Sequence, residues 1–503
     1  MNNQLLYFLP LLIASIFALL TPMIDILSGK NRKVIFYTTL LNFILIIVVN
    51  LILLTQPGVT TPITDTHQFG NFLSVFLKNS IVLSSYTIFF DLIFAAAGLL
   101  TLFGVRQYLI KENYEHKEFY SLLCFAFFGM MLIVHSNSLI ILFLGIETMS
   151  ISFYVLSGFI RNKTSNVEAS LKYFLLGAFA TGFLVYGIAM VYGATGSLDL
   201  SEISIKIANN QFNLVYLAIG VGLMIVGLSF KASTFPFHQW APDVYTGAPT
   251  VVSAFMSTAG KSAAFVAFII ISRTIIPLDV STAKPLSWAA NFISQYFREI
   301  LAFIAAFTML VGNITALLQT NVKRMLAFSS VAHAGYMMMG IVANNSDGWS
   351  GIMYYASAYI LMQIGAFIIV ALIEKENDER LNLSDYNGLS KSNPFLAAAM
   401  SIFMLSLAGI PPFAGFFGKY YLFFSAIESG YLWLTIVAIV ATLISLYFYI
   451  GLIINMYFKS ESGAIEKIHL GLANVSVIIS VIGVIFLGIF PNTIMKFAIL
   501  FFK

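Results

Sequence analysis

The sequence predicts an all-α polytopic membrane protein with about fourteen transmembrane helices. Of the 503 residues, 59% are hydrophobic and only 10% are charged, whereas a soluble globular domain carries roughly 25% charged residues. Apolar runs recur along the whole chain, and each is close to the ~20 residues that a helix needs to cross a bilayer. These observations exclude a soluble enzyme, a disordered chain, a coiled coil and a nucleic-acid-binding protein.

The predicted spans are apolar segments of helical length that end at polar or Gly/Pro-containing stretches. In chain order they cover residues 4–27, 34–54, 85–110, 119–135, 138–160, 167–196, 214–246, 249–271, 298–319, 325–343, 350–374, 395–427, 431–458 and 471–499. The first segment resembles a signal-peptide core, but it lacks a basic region and a small-residue cleavage site. We therefore expect it to be the first span.

The basic residues predict the orientation of the spans. Loops that follow odd-numbered spans contain 15 Lys and Arg residues, whereas the opposite side, termini included, contains 7. Cytoplasmic loops of membrane proteins are enriched in these residues. We therefore expect the fifteen to face the cytoplasm and both termini to lie on the periplasmic or outer side.

The seventh and twelfth predicted spans are about 33 residues long, and each carries a lysine near a proline. In the seventh, Lys231 precedes Pro236 within FKASTFPFHQWAPD. In the twelfth, Lys419 follows Pro411 and Pro412 within GIPPFAGFFGK. Each segment is therefore predicted to be a broken helix, because proline interrupts the hydrogen-bond ladder of a helix.

These two segments are five spans apart, so they cross the membrane in opposite directions. The order of Lys and Pro is also reversed between them, as expected if one segment is the inverted copy of the other. The sequence therefore predicts two inverted five-helix repeats, each with a broken helix of the kind that marks transport sites. Two ordinary proline kinks are the alternative. The corresponding division of the chain is 1–115 for the N-terminal helices, 116–275 for the first repeat, 276–460 for the second and 461–503 for the last helix.

No cofactor is predicted for this chain. The single cysteine, Cys124, excludes an internal disulfide and a cysteine-based zinc or iron–sulfur site. The glycine-rich nucleotide motifs and the HExxH zinc motif do not occur in the sequence.

Five ionisable residues fall well inside predicted spans: Glu147, Lys231, Lys261, His333 and Lys419. A charged side chain at the bilayer centre costs roughly 2.5–3.5 kcal/mol on insertion scales, so such residues usually have a function. A buried lysine suits proton transfer because burial destabilises the ammonium, and a neighbouring charge that moves can then load or unload it. Glu147 is the natural partner of Lys231.

Hydroxyl groups lie at helical spacing from these residues and leave room for bridging waters. Ser150 and Tyr154 follow Glu147 on one face of its helix, and Ser257 and Thr258 precede Lys261 on another. Ordered waters between such groups could conduct protons.

For the remaining polar residues, structural interpretations compete with functional ones. His333 is either a proton relay or a core histidine bonded to Ser329 or Ser330. Lys172 either has a function or extends its ammonium to the cytoplasmic interface. Four others are expected to be anchors or structural hydrogen-bonding residues: Asp91, Arg106, His238 and Asp243.

The stretches around the buried residues resemble the antiporter-like membrane subunits of respiratory complex I, most closely the N-type subunits. The matching segments are FLGIETMSISFYVLSGF, LKYFLLGAF, GLSFKASTFPFHQWAPDVYTGAPTVVSAFMSTAGKSAAF, NVKRMLAFSSVAHAGYMMMGI and SLAGIPPFAGFFGKYYLF. They extend over spans 4 to 13, about two thirds of the chain. The L-type subunit would add a long lateral C-terminal helix, and the M-type subunit typically has Glu in place of Lys419.

The resemblance implies two inverted five-helix bundles that translocate protons. By residue match, Glu147 and Lys231 form the charge pair of one half. Lys261 is then the central relay, and Lys419 is the terminal carrier of the other half.

The resemblance also assigns accessory positions to Lys172 and His333 and implies partners. NADH, FMN, iron–sulfur clusters and quinone are expected in partner subunits, since NADH oxidation and quinone reduction occur there. The expected neighbours are the M-type antiporter-like subunit and the K- and J-type subunits of the membrane arm, within a bacterial inner membrane.

Other functions stay open at this point. A subunit of a multisubunit Na⁺/H⁺ antiporter or of a membrane-bound hydrogenase would share the Lys and Glu positions. A stand-alone solute carrier would need substrate-specific polar groups at the helix breaks, where this sequence has single lysines among apolar residues.

Overall fold

A computed structural model of the chain describes residues 3–29, 31–54, 80–275, 288–375, 380–460, 468 and 471–502. Over these residues the backbone is helical, apart from short loops and three isolated β-bridges. The predicted chain divisions at 276 and 461 lie outside the described residues. A helical chain is expected in lipid, because every backbone polar group must find its partner within the protein.

We number the helices in chain order. The first half of the chain contains α1 (Asn3–Leu27), α2 (Arg32–Leu54), α3 (Ser85–Lys111), α4 (Glu118–Val134), α5 (Leu139–Ser157), α6 (Thr164–Thr195), α7 (Leu200–Ala208), α8 (Leu214–Ala232), α9 (Trp240–Gly247) and α10 (Thr250–Ile275). The second half contains α11 (Trp288–Leu317), α12 (Val322–Ala343), α13 (Ser346–Ile373), α14 (Pro394–Ala408), α15 (Ala414–Glu428), α16 (Leu432–Phe458), α17 (Leu472–Ile489) and α18 (Asn492–Phe502). Two short helical turns, Leu383–Tyr386 and Leu389–Ser392, precede α14.

The fourteen predicted spans correspond to these helices. Twelve of the described helices are long and apolar enough to cross a membrane. The shorter α4 and the pair α14–α15 account for the other two predicted spans. The all-helical prediction with broken helices is therefore confirmed.

Three details differ from the prediction. The ninth span begins at Trp288, ten residues earlier than expected. The last segment is two helices, α17 and α18, which are separated beside Pro491. The amphipathic helix α7, only nine residues long, was not predicted, because it is too short to span a bilayer.

Helices α10, α12 and α13 form the centre of the molecule. In the most apolar stretch of each, 100%, 94% and 89% of the residues are buried, compared with 33% in α2, α6 and α16. The outer helices present large apolar side chains such as Phe179 and Leu443 at the surface, where lipid or partner subunits can cover them. The central helices are thus shielded from lipid, which lets them carry polar groups.

The first broken helix joins α8 to α9. Its helical ladder ends where Ser233 adopts the left-handed conformation, with a φ of 58°. The groups freed by the break find partners in the protein, since Trp240 Nε1 donates to Phe230 O at 3.0 Å and Phe235 N donates to Thr308 Oγ1 at 2.9 Å. These bonds let irregular backbone persist inside the membrane.

The second broken helix joins α14 to α15. Gly409 ends α14 with a φ of 85°, a conformation that glycine adopts without strain. A Cβ atom at Gly409 would lie 3.1 Å from Cδ of Lys419, so glycine also leaves room for this lysine. Each break contains a cis peptide bond before a proline, at Pro236 and at Pro412.

Candidate functional site

Lys231 is held at the end of α8 by polar side chains of α5. Its Nζ donates to Ser150 Oγ at 2.6 Å and to Tyr154 OH at 3.1 Å. Glu147 Oε1 lies 4.0 Å from the same Nζ. The polar face predicted for α5 is therefore the face that meets Lys231, and the Glu147–Lys231 contact is present.

Glu147 bridges α5 and a third helix. Its Oε1 accepts a hydrogen bond of 2.8 Å from Thr181 Oγ1 of α6. The Glu147 side chain is 21% exposed, whereas that of Lys231 is 2% exposed. The carboxylate therefore lies between a buried cation and the edge of the bundle.

The first break also contains polar atoms that are suited to water. Ser229 Oγ, Ser233 Oγ and His238 Nδ1 are buried without a hydrogen-bond partner among the described residues. Buried polar groups of native proteins are normally satisfied by protein or by ordered water. The region beside Lys231 is therefore chemically equipped to hold water.

Lys261 lies on α10 directly after a π-helical turn, Met256–Gly260. Its Nζ donates to the backbone oxygen and to Oγ of Ser330 on α12. The expected neighbours Ser257 and Thr258 instead donate to Ala254 O within their own helix. The hydroxyl in contact with Lys261 thus comes from another helix, which the spacing of residues within α10 could not indicate.

His333 connects three helices through tyrosines. Its Nδ1 contacts Tyr355 OH of α13 at 2.5 Å, and its Nε2 contacts Tyr449 OH of α16 at 3.0 Å. Tyr449 OH also lies 2.5 Å from Ser329 Oγ. The expectation that His333 bonds to Ser329 or Ser330 is therefore wrong, because tyrosines from neighbouring helices occupy both ring nitrogens.

Lys419 satisfies the backbone that the second break leaves open. Its Nζ donates to Leu407 O at 3.0 Å and to Ala408 O at 3.1 Å. These are carbonyls of the last turn of α14, where the helix dipole favours a cation. The ammonium also lies 4.7 Å from the centre of the Tyr336 ring.

Helix α12 links Lys261 to Lys419. Ser330, His333 and Tyr336 follow one another at intervals of three residues, which places them along one side of the helix. Lys261 contacts the first of these residues and Lys419 the last. The term buried polar path refers below to five residues together with these hydroxyl and aromatic neighbours: Glu147, Lys231, Lys261, His333 and Lys419.

Lys172 lies apart from this path, at the edge of the bundle. Its side chain is 43% exposed and pairs with Glu168 at 2.7 Å and Asp243 at 3.2 Å. Asp243 also pairs with Arg324 at 2.8 Å. The ammonium is thus part of an exposed ion network, in agreement with the interfacial interpretation.

Two buried pairs were missed by the sequence analysis. Asp91 Oδ2 lies 2.9 Å from His135 Nε2, and both side chains are 1% exposed, so Asp91 is not an interfacial anchor. Lys323 Nζ lies 3.9 Å from Glu374 Oε1, with 1% and 0% exposure. Lys323 lies just before the predicted span 325–343, and Glu374 is the last residue of the predicted span 350–374, so neither residue was recognised as lying well inside the membrane.

Within the described residues, His, Cys, Asp and Glu side chains form no group of three that could hold a metal ion. Cys124 is buried and lies 3.8 Å from the side chains of Thr39 and Asn42. The side chains of the buried polar path carry hydroxyl, carboxylate, imidazole and ammonium groups.

Residues 136–445 match a protein-family model described as "NADH:quinone oxidoreductase/Mrp antiporter, TM". This match includes both broken helices and the buried polar path except Tyr449. The fold and its matched region define the class of protein, an antiporter-like membrane subunit.

Individual relatives narrow this class. The chain is 41% identical over 432 residues to NADH-quinone oxidoreductase subunit N of Trichlorobacter lovleyi, with 86% of each chain covered. It is 38% identical over 499 residues to subunit N 1 of Chloroherpeton thalassium, with 99% of this chain and 98% of the relative covered. A chain of respiratory complex I from Thermus thermophilus with bound aureothin superposes with a TM-score of 0.79 at 30% identity, covering 97% of this chain and 98% of that one.

The chain therefore belongs to the family of NADH-quinone oxidoreductase subunit N, a membrane subunit of bacterial respiratory complex I. It is one part of a larger complex with other subunits.

Proposed function

We propose that this chain translocates protons along the buried polar path while other subunits of the complex oxidise NADH and reduce quinone. Lys231 and Glu147 form the charge pair of the first half. Lys261 relays protons at the centre, and Lys419 is the carrier of the second half. His333 and Lys172 are accessory residues: His333 lies between Lys261 and Lys419, and Lys172 lies at the edge of the bundle.

The burial of three lysines in the bundle interior carries this proposal. Lys231, Lys261 and Lys419 are 6%, 1% and 4% exposed. Each such charge costs roughly 2.5–3.5 kcal/mol at the centre of a bilayer, so packing elsewhere must offset it. A protein that needed only a stable fold would gain stability if apolar residues replaced these lysines.

The neighbours of Lys231 and Lys261 suit an amine that gains and loses a proton. A hydroxyl group can accept a hydrogen bond from an ammonium and donate one to a neutral amine. Ser150 and Tyr154 provide such groups for Lys231, and Ser330 provides one for Lys261. Glu147, at 4.0 Å, favours the protonated state of Lys231, and an increase in this distance would favour proton release.

The remaining parts of the proposal follow the family. The energy comes from the redox reaction in partner subunits, which hold NADH, FMN, iron–sulfur clusters and quinone. The M-, K- and J-type subunits are the proposed membrane neighbours, in the bacterial inner membrane with lipid around the outer helices. The loops richest in Lys and Arg face the cytoplasm, and both termini face the periplasm.

Substitution of Lys231 tests the proposal in the assembled complex. We expect Lys231→Ala to abolish or strongly reduce both proton pumping and quinone reduction in proteoliposomes, because a carrier is lost. Lys231→Arg should fail as well, because the guanidinium group keeps its proton at all physiological pH values. Lys459→Ala, which changes an exposed lysine after α16, is the control and should behave as wild type.

NADH oxidation by an artificial electron acceptor reports on the partner subunits and serves as the assembly check. If a well-assembled Lys231→Ala complex pumps at the wild-type rate, the proposed path is wrong. A dependence of pumping on Na⁺ in the wild-type complex would favour cation/proton antiport instead.

A further inference from the structure

A buried pair of Lys and Glu lies where several helices end, on the side of the molecule that carries the basic loops. Lys323 begins α12, and Glu374 follows α13. Their side chains are 1% and 0% exposed, and Nζ and Oε1 lie 3.9 Å apart. Burial of both partners is uncommon for residues beside a helix end, where water is normally within reach.

Groups from three further segments converge on this pair. Thr250 Oγ1, at the start of α10, donates to Glu374 Oε2 at 2.5 Å. Lys323 Nζ donates to Ala248 O at 2.7 Å. Lys111, at the end of α3, donates to the backbone oxygen of Glu374. The pair is therefore held in place by helices α3, α10, α12 and α13 together.

A cavity lies beside the last turn of α13, next to the pair, and Lys111 lines it. It has a volume of about 230 Å³ and lies between α3, α13 and the start of α17. Lys111, Gln107 and Tyr108 line it on one side, with Ala371 and Leu372 on the other. Lys111 thus contacts both the cavity and the backbone of Glu374.

Polar groups continue from the pair toward Lys261. On α12, Lys323 and Ser330 lie seven residues apart, about 10 Å along one face of the helix. Between them, Gln363 of α13 donates from Nε2 to Leu326 O at 3.1 Å. Gln363 Oε1 is buried without a hydrogen-bond partner among the described residues, so it is suited to bind water at this level.

We propose that Lys323 and Glu374 form a proton-entry site, which passes protons from the basic-loop side past Gln363 to Ser330 and Lys261. This inference rests on the proposed function, because it supplies the lysine path with protons. In the resting pair Lys323 is an ammonium and Glu374 is a carboxylate. An N–H bond of Lys323 breaks as water beside Gln363 accepts that proton and delivers it toward Lys261. Glu374 then takes a proton from a hydronium ion that arrives from the basic-loop side, and the new O–H bond breaks as the neutral amine of Lys323 accepts the proton, so one proton enters the pair and one leaves it.

Four variants separate a proton-entry role from a structural ion pair. Glu374→Gln removes the acid, and Lys323→Arg keeps a positive charge that cannot be released. The double variant Lys323→Gln/Glu374→Gln removes both charges, so no unpaired charge stays buried. Gln363→Leu removes the polar side chain between the pair and Ser330 without changing any charge.

We expect all four variants to lose pumping and quinone reduction by about a hundredfold or more, which is the lower end of the effect of a lost proton-transfer group. NADH oxidation by an artificial acceptor should be unchanged. A double variant that pumps like wild type, or that restores the activity lost in either single variant, would show that the pair is only structural. Wild-type pumping by Gln363→Leu would equally overturn the entry route, and this variant does not depend on the stability of the ion pair.

Lys261→Ala, measured in parallel, separates this inference from the proposed function. If Lys261→Ala pumps normally, the proposed function itself fails. If Lys261→Ala is inactive while the double variant and Gln363→Leu are active, the path is retained and only the entry site is wrong.

Discussion

At the scale of single residues, the buried lysines differ in what holds them. Lys231 and Lys261 contact hydroxyl groups, whereas Lys419 donates to the backbone oxygens of Leu407 and Ala408. A carbonyl accepts hydrogen bonds but cannot donate one. The contacts of Lys419 therefore favour its protonated form, while those of the other two lysines accommodate both forms. We therefore expect Lys419 to hold its proton until another charge changes.

This difference predicts how position 419 responds to substitution. We expect Lys419→Glu to be tolerated better than Lys419→Ala, because a protonated carboxyl group can still donate to one of the two carbonyls. Proton pumping by the two variants in proteoliposomes is the measurement, with wild type as reference. Equal pumping by both variants would mean that Lys419 does not carry protons.

The hydroxyl of Ser330 can be tested separately from Lys261. We expect Ser330→Ala to slow proton-coupled quinone reduction by roughly fivefold, which corresponds to about 1 kcal/mol for one hydrogen bond. The backbone oxygen of Ser330 still accepts from Lys261, so the fold should be retained. Ser401→Ala is a matched control, since Ser401 Oγ donates to Ala397 O of its own helix. Similar rates for both variants would argue against a role for the Ser330 hydroxyl.

At the scale of helices, close backbone contact positions the charge pair. A Cβ atom on Gly129 of α4 would lie 2.5 Å from Met149 N of α5, and one on Gly145 would lie 2.8 Å from Ile133 N. These distances are too short for any side chain. In membranes, small residues of this kind let helices approach closely. Glu147 lies two residues after Gly145, so this contact fixes the depth and direction of the carboxylate.

The glycine contact predicts a loss of stability on enlargement. Gly145→Val should destabilise the folded chain by about 1–3 kcal/mol, the usual cost of overpacking, because α4 and α5 must separate. The thermal stability of the purified complex is the measurement. Gly182→Ala of α6 is the control, because a Cβ there meets nothing within 4 Å. A Gly145→Val complex as stable as the control would contradict the close packing of these helices.

At the scale of the whole molecule, hydropathy predicted which segments are helices but not which helices meet. The lipid environment permits only helical spans here, so apolar length indicated the fourteen crossings, and Pro236 and Pro412 indicated the breaks. The sequence has no comparable pattern that indicates which distant helices contact each other. Ser330 became the partner of Lys261 through the packing of α10 on α12.

The same limit explains the missed Lys323–Glu374 pair. Each residue lies at the end of an apolar run, where a single sequence cannot distinguish an exposed loop from a buried helix end. Burial is imposed by α3, which is distant in sequence and places Lys111 against the backbone of residue 374. By contrast, Glu147 and Lys231 lie within their apolar runs and could be predicted from position.

Contacts between described loop residues join loops that are predicted to lie on the same side of the membrane. Lys163 pairs with Glu112 at 2.9 Å, Lys323 donates to Ala248 O, and Lys117 donates to Gly29 O at 2.7 Å. Each contact joins two loops that follow odd-numbered spans. The alternation of sides therefore agrees with the predicted topology, and the remaining question is which face meets the cytoplasm.

The single cysteine makes that question accessible to labelling. Cys124→Ala provides a cysteine-free background. Into it we introduce, in separate variants, Lys459→Cys at an exposed position after α16 and Glu428→Cys at an exposed position at the end of α15. We expect a membrane-impermeant maleimide to label position 459 in inside-out vesicles and position 428 in spheroplasts, because basic loops face the cytoplasm. Quinone reduction by each variant shows that the complex is intact, and labelling after solubilisation shows that each thiol is reactive. The opposite labelling pattern would mean that the chain has the reverse orientation in the membrane. Proton entry through the cavity beside Lys111 would then start from the periplasm. That direction would contradict the one expected of a proton-exporting complex.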